Sequence, residues 1–159
     1  MTLPAKRRLC LALAAAVCSR VFGAGTEIAD PAKFVTDVYN RIVATERRSP
    51  GYEPPTDIYT PRLKALFAED KRRANGEVGC IEFDFWTNAQ DSGLRNVRVT
   101  SQDVPDHADR KLVIATFLNL RQPEEIHFDF QKVGGKWLLD DVQSLKKETW
   151  TLSKLLKCW

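Results

Sequence analysis

The stretch Glu125-Ile126-His127-Phe128-Asp129-Phe130-Gln131-Lys132-Val133-Gly134-Gly135-Lys136-Trp137-Leu138-Leu139-Asp140-Asp141-Val142 decides the fold class. Its first part alternates with a period of two. Ile126, Phe128 and Phe130 share one face, and His127, Asp129 and Gln131 share the other, which is the pattern of a strand with one face buried. Gly134-Gly135 then supplies the two positions of positive φ that a tight hairpin needs, and a second strand, Lys136 to Ser144, returns beside the first. Working back from this hairpin, Lys111 to Leu120 is apolar on both faces, as in a covered central strand, and Val97 and Val99 mark a strand before it. From Cys80 onward Ile81, Phe83 and Phe85 alternate with Glu82 and Asp84, which predicts one more strand.

Upstream of Cys80 the period is helical. Asp30-Pro31 pairs an N-cap side chain with proline at the first helical position, and Phe34, Val35, Val38, Tyr39, Ile42 and Val43 recur on one face. Thr60-Pro61 repeats the start signal, Leu63, Leu66 and Phe67 form the stripe, and Asn75-Gly76 is the stop. The tail from Lys146 to Leu156, carrying Leu152, Leu155 and Leu156, reads as a short final helix. Two helices followed by an antiparallel meander define an α+β fold.

The chain has 159 residues, 43% hydrophobic and 28% charged, enough for one core and too few for two. No apolar run reaches the length of a membrane-spanning helix. Residues 1–24 read as a secretory signal peptide: Lys6-Arg7-Arg8, then the apolar run Leu9 to Val17, then small residues for cleavage at Gly23 or Ala24. Lipoprotein processing at Cys18 is disfavoured, because Ala15-Ala16-Val17 makes a poor lipobox. The leader holds four of the 24 basic residues and none of the 21 acidic ones, so residues 25–159, read as a single domain, carry 20 against 21 and a net charge of −1. That balance excludes a basic nucleic-acid binder.

Export changes the meaning of the cysteines. Cys10 and Cys18 leave with the leader, and Cys80 and Cys158 remain as an even pair for an oxidising compartment, periplasmic or secreted. A disulfide between them closes a 79-residue loop, for which chain entropy gives roughly 4 kcal/mol. Two cysteines and two histidines so widely spaced do not form a metal site, and no phosphate loop or other cofactor motif is present.

The order of helices and sheet, ending in Gly134-Gly135-Lys136-Trp137-Leu138-Leu139-Asp140-Asp141-Val142, resembles the nuclear-transport-factor-2-like superfamily (which includes SnoaL-like and ketosteroid-isomerase-like members). More narrowly, Thr60-Pro61-Arg62-Leu63, Gly76-Glu77-Val78-Gly79 and Asp84-Phe85-Trp86-Thr87-Asn88-Ala89-Gln90-Asp91 are similar to a family of small exported bacterial proteins of unknown function. The likeness spans residues 30–145. It implies a cone-shaped half-barrel, a curved antiparallel sheet wrapped round the helices with a pocket at its open end. It implies no reaction.

Two functions follow. The first is an exported, non-catalytic binding protein whose partner is a protein or a small apolar ligand, with an inhibitor or immunity protein as one concrete form. Its binding residues would be Asp84, Trp86, Asn88, Gln90 and Asp91, in a polar loop between strands. The structural role open to the same residues is that Asp84 and Asp91 fix turns while Trp86 fills the core. The second function is a small lyase or isomerase, with Asp84 or Asp91 as carboxylate base in an apolar cone and Tyr59 stabilising an oxyanion. His127 falls on the polar face of its strand and reads as a solvated surface residue, and His107 reads as a turn residue. Asp140-Asp141 should send one carboxylate inward to a partner and one to water. Val113, Ala115 and Phe117 would form an apolar outer face for a homodimer, or the floor beneath a helix.

Overall fold

The computed structural model describes residues 25–48, 50–91, 93–146 and 148–159; the signal peptide read in residues 1–24, with Cys10 and Cys18, lies outside them. The elements run α1 (Pro31–Thr45), α2 (Pro61–Ala74), β1 (Leu94–Val104), β2 (His107–Asn119), β3 (Gln122–Val133), β4 (Lys136–Ser144), β5 (Trp150–Thr151) and α3 (Leu152–Leu155). The fold is α+β. One open antiparallel sheet carries the strands in the order β1-β2-β3-β4-β5.

Local chemistry sets the helix ends. The Asp30 carboxylate accepts the amides of Ala32 and Lys33 at 2.8 and 3.2 Å, and Pro31 occupies a position that has no helical acceptor to lose. Thr60 caps α2 by accepting the Leu63 amide at 3.2 Å. Asn75 ends that helix in the left-handed conformation at φ +48°. The hairpin between β3 and β4 turns on Gly134 and Gly135 at φ +58° and +82°, angles that a side chain would strain.

The sheet's inner face is the core. Val113, Ala115 and Phe117 of β2, Ile126, Phe128 and Phe130 of β3 and Leu139 and Val142 of β4 are all buried there with Val35, Val38 and Tyr39 of α1. Val113, Ala115 and Phe117 are therefore an inner floor and not an outer dimer face, since they are buried in the core that α1 completes, with Tyr39 against Phe117. The interior expected to hold a pocket is filled by rings: Tyr39 lies 5.3 Å from Phe117, and Trp86 lies 4.7 Å from Phe128. Val43, assigned to the buried stripe of α1, is 40% exposed near the helix end.

A second departure is the segment after Cys80. Ile81, Phe83 and Phe85 are half-buried while Glu82 and Asp84 are exposed, so the period of two survives. No ladder forms, and the segment's β contact is an isolated bridge between Asp84 and Ala89. Asp84 explains this, because its carboxylate accepts the amide of Trp86 two residues on at 2.9 Å, a local turn that competes with strand pairing. At the other end, β4 is flanked by Ile58 to Thr60: the Thr60 amide donates to the Leu139 carbonyl at 2.9 Å and the Leu139 amide to that of Ile58 at 2.8 Å.

Cys80 and Cys158 are joined, which ties the C-terminal tail to the chain following α2. Asp70 of α2 supports the junction, its Oδ1 accepting the Cys80 amide at 3.0 Å and the Trp159 indole N–H at 2.8 Å. Gly79 leaves room for this arrangement, since a β-carbon there would collide with the Asp70 carboxylate. Replacing both cysteines by serine is expected to destabilise the protein by about 2–4 kcal/mol. Urea unfolding of the double variant checks this, with the parent under reducing conditions matching it.

Candidate functional site

The loop from Asp84 to Gly93 gathers most of the residues singled out in the sequence, and the structure divides them into two groups. Asp84 and Trp86 turn inward. The Asp84 Oδ1 takes the Trp86 amide, and its Oδ2 takes the Thr87 hydroxyl at 3.0 Å. Trp86 is 2% exposed, and its carbonyl accepts the Tyr39 hydroxyl at 2.7 Å. Although Asp84 is exposed as a residue, loss of water around its carboxyl raises its pKa, and the bonds from Trp86 and Thr87 offset only part of the rise. Tyr59 is pushed up to about 12, first by burial and then by the charge of Asp84. The same two causes, in the same order, raise Tyr39 well above its ordinary value.

Asn88 and Gln90 turn toward the C-terminal segment. Asn88 sits at φ +54°, a conformation asparagine accepts more readily than most residues. Its Nδ2 donates to Glu124 Oε2 at 2.8 Å and lies 3.5 Å from the Ser144 hydroxyl, while its Oδ1 accepts the Trp150 indole N–H at 2.7 Å. Asn119 secures the rest of the loop, accepting the Gly93 amide at 2.9 Å and donating to the Thr87 carbonyl at 3.0 Å. Gln90 donates to the Glu82 carbonyl at 3.2 Å. Asp91 is exposed.

Between this loop and β5 lies a groove of about 450 Å³. Phe83, Ala89, Trp150 and Leu155 supply its apolar part, and Asn88, Gln90, Glu148 and Thr149 its polar part. The Phe83 and Trp150 rings meet edge-on at 5.4 Å. The lining of this groove does not include Asp84, Asp91 or Tyr59. Of the proposed catalytic trio, the charge of Asp84 reaches Tyr59, while Asp91 is exposed.

Asp140 and Asp141 both find partners inside the protein. Asp140 Oδ1 accepts the Thr60 hydroxyl at 2.8 Å and the Arg62 Nε at 3.1 Å, and Asp141 accepts the Ser153 amide at 3.0 Å. Burial alone would raise the Asp140 pKa, but the bonds from Arg62 and Thr60 and the charges of Arg62 and Arg110 bring it below the ordinary range. His127 lies on the outer face but is not freely solvated, with its side chain 14% exposed and Nε2 at 2.8 Å from Glu125 Oε1. His107 opens β2 opposite Val104, across the Pro105-Asp106 turn. Among the described residues, Asp70, Cys80 and Cys158 form a cluster of metal-ligand types, yet both sulfurs are spent on each other.

Glu124 escaped the sequence reading. It is 5% exposed and is held by Asn88. The signal was present: Glu124 shares the parity of Ile126, Phe128 and Phe130, so an acid stands on the inward face of β3.

No family model and no curated protein matches this chain. A solved structure with some similarity is the phospholipid-binding protein from Ralstonia solanacearum in complex with a phospholipid, at 16% identity and a TM-score of 0.39, covering 81% of this chain and 84% of that one. A superposition of that quality assigns no ligand to this chain.

Two variants test the division of roles. Asn88→Ala leaves the buried Glu124 carboxylate without its amide partner, and should cost about 2–3 kcal/mol, whereas Asp91→Asn should stay within about 0.5 kcal/mol. Denaturant titration reads both. For Asp84 the raised pKa means that the folded chain binds its proton more tightly than the unfolded chain. That contribution is present at low pH and is lost as pH rises through the folded value. Asp84→Asn keeps an oxygen for the Trp86 amide, so it should be more stable than the parent near pH 7. The advantage should vanish below about pH 4, where both states of the parent are protonated.

Proposed function

We propose that this is an exported, non-catalytic binding protein whose contact surface is the groove between the Asp84–Gly93 loop and β5. The observation that carries the reading is the placement of Phe83 and Trp150. Two aromatic side chains are held edge to face at a surface groove, rimmed by the polar groups of Asn88, Gln90 and Glu148. Aromatic anchors inside a polar rim are the usual make-up of a binding patch. The loop that presents them is tied to β2 through Asn119 and to β3 through Glu124, so little ordering entropy is lost on binding.

A protein segment is the favoured occupant. The groove is open, and the interior where an enclosed ligand would lie is filled by Tyr39, Trp86, Phe117 and Phe128. An inhibitor or immunity protein is one form that such a partner relation takes. The disulfide fits a non-reducing compartment, in keeping with periplasmic export. A small apolar ligand in the same groove is the second reading, favoured by its apolar part, and about 450 Å³ is within the range of small-molecule sites. A lyase or isomerase is disfavoured because both oxygens of Asp84 are already hydrogen-bonded within the loop.

The test is a photo-crosslinking residue at Gln90 in the exported protein, with the same residue at Asp106 as a control. A discrete protein adduct from position 90 alone is expected, and Trp150→Ala should reduce it at least tenfold. A native mass spectrum of the periplasmic protein runs beside it. Retained small-molecule mass that Trp150→Ala abolishes would replace the protein partner with a small ligand. Neither adduct nor retained mass would sink the groove as a binding site.

A further inference from the structure

One end of the molecule carries a second feature that the groove does not explain. The turn between β2 and β3 is built on Leu120 and Arg121 at φ +48° and +72°. Two-residue turns of this hand favour Asn and Gly, because a side chain crowds the backbone at positive φ. Here a branched apolar residue and an arginine take both strained positions, and Leu120 at the tip is 60% exposed. Strain of this sort persists where the surrounding structure holds it, and it concentrates at functional positions. The holding contacts are visible. The Leu120 amide donates to the Gly93 carbonyl at 3.3 Å, and Leu120 Cδ2 packs on Gly93, 2.7 Å from where a β-carbon would stand.

The turn does not stand alone. The Leu94 amide, next to Gly93, donates to Glu46 at the end of α1, and Leu94 and Arg95 pair with Asn119 and Leu118. These links bring the end of α1, the start of β1 and the turn to one end of the protein. Arg47, Arg48, Arg95 and Arg121 are all exposed there. Among the described residues Arg47, Arg48 and Arg121 have no ion-pair partner, and Arg95 reaches Glu46 only at 3.6 Å. The acids within four residues of them in sequence are Glu46, whose side chain is 11% exposed, Glu124, which is buried, Glu125, which is paired with His127, and the exposed Asp91. Residues 25–159 carry a net charge of −1, so this basic end is a local separation of charge and not a reflection of the whole.

We infer that this end docks on an anionic lipid surface, with the arginines on headgroup phosphates and Leu120 entering the headgroup layer as an apolar tip. The geometry favours a lipid surface over an acidic protein. Leu120 rests one methyl on Gly93 and still leaves 60% of its surface to solvent, and an exposed apolar group beside unpaired basic ones is the pattern of interfacial anchoring. Each basic residue near an anionic leaflet adds roughly a fivefold gain in binding, falling off with added salt. This inference stands apart from the groove, and Trp150→Ala should leave it unchanged.

The experiment is co-sedimentation of the exported full chain with vesicles of phosphatidylcholine containing about one-third phosphatidylglycerol, against phosphatidylcholine alone. Salt-sensitive binding to the anionic vesicles only is expected. Arg47→Glu with Arg48→Glu should weaken it by about thirtyfold or more. Leu120→Asn with Arg121→Gly gives the turn the residues its backbone prefers. That variant should raise the thermal midpoint by a few degrees and still lose at least about tenfold in vesicle binding. Gain of stability with loss of binding is an outcome a purely structural turn would not give. The inference is overturned if the parent ignores anionic vesicles, if either double variant binds as the parent does, or if soluble polyglutamate captures the parent as tightly as the vesicles do.

Discussion

The two ends of the Asn88 side-chain amide have opposite hydrogen-bonding character, and this structure uses both. The nitrogen donates toward Glu124 on β3 and the oxygen accepts from Trp150 on β5. One planar group at a left-handed backbone position thereby joins a loop to two strands. A buried carboxylate is costly unless it is hydrogen-bonded, so Glu124 needs the loop as much as the loop needs Glu124. Trp86 is seated by the same loop and covers the inner sheet, while Trp150 is turned to line the groove. Both the core and the candidate binding surface therefore depend on this contact.

A parallel logic holds the C-terminus. Asp70 is buried on α2 and takes two N–H groups, one from Cys80 and one from Trp159, where Gly79 leaves room for its carboxylate. The disulfide adds a covalent link to the same place. A tail that would otherwise fray is fixed at its end, and the short β5 and α3 are held against β4 between that anchor and Asn88. Asp141, which caps the amide of Ser153, completes the attachment. The groove is made from this fixed tail, so its shape depends on tertiary contacts and not on any rigidity of residues 148–156 themselves.

Much of the architecture was legible because it rests on short-range physics. Asp30-Pro31 and Thr60-Pro61 announce helix starts through side chains that reach their own first-turn amides. Gly134-Gly135 announces a hairpin through backbone freedom. The alternation from Ile126 to Phe130 announces a strand through burial of one face. The same alternation misled at Ile81 to Phe85. Burial with a period of two needs only one packed face, and a strand also needs a neighbour to pair with. Asp84 supplied a local turn instead. Glu124 was passed over because an isolated acid on an inward parity has meaning only once its partner, 36 residues away in the loop, is brought to it.

By itself, the sequence determined the helix caps, the β3–β4 hairpin, the inward face of β3 and an even pair of cysteines among residues 25–159. Each of these depends on residues close together in the chain or on the count of a reactive group. Only the tertiary structure decided which way the apolar residues of β2 face, because a strand apolar on both sides has no intrinsic inside. It alone brought Cys80 to Cys158, Asn88 to Glu124 and Trp150, and Leu120 to Gly93. Contacts at such separations are chosen by the packing of the whole chain, since no local preference acts across the intervening residues.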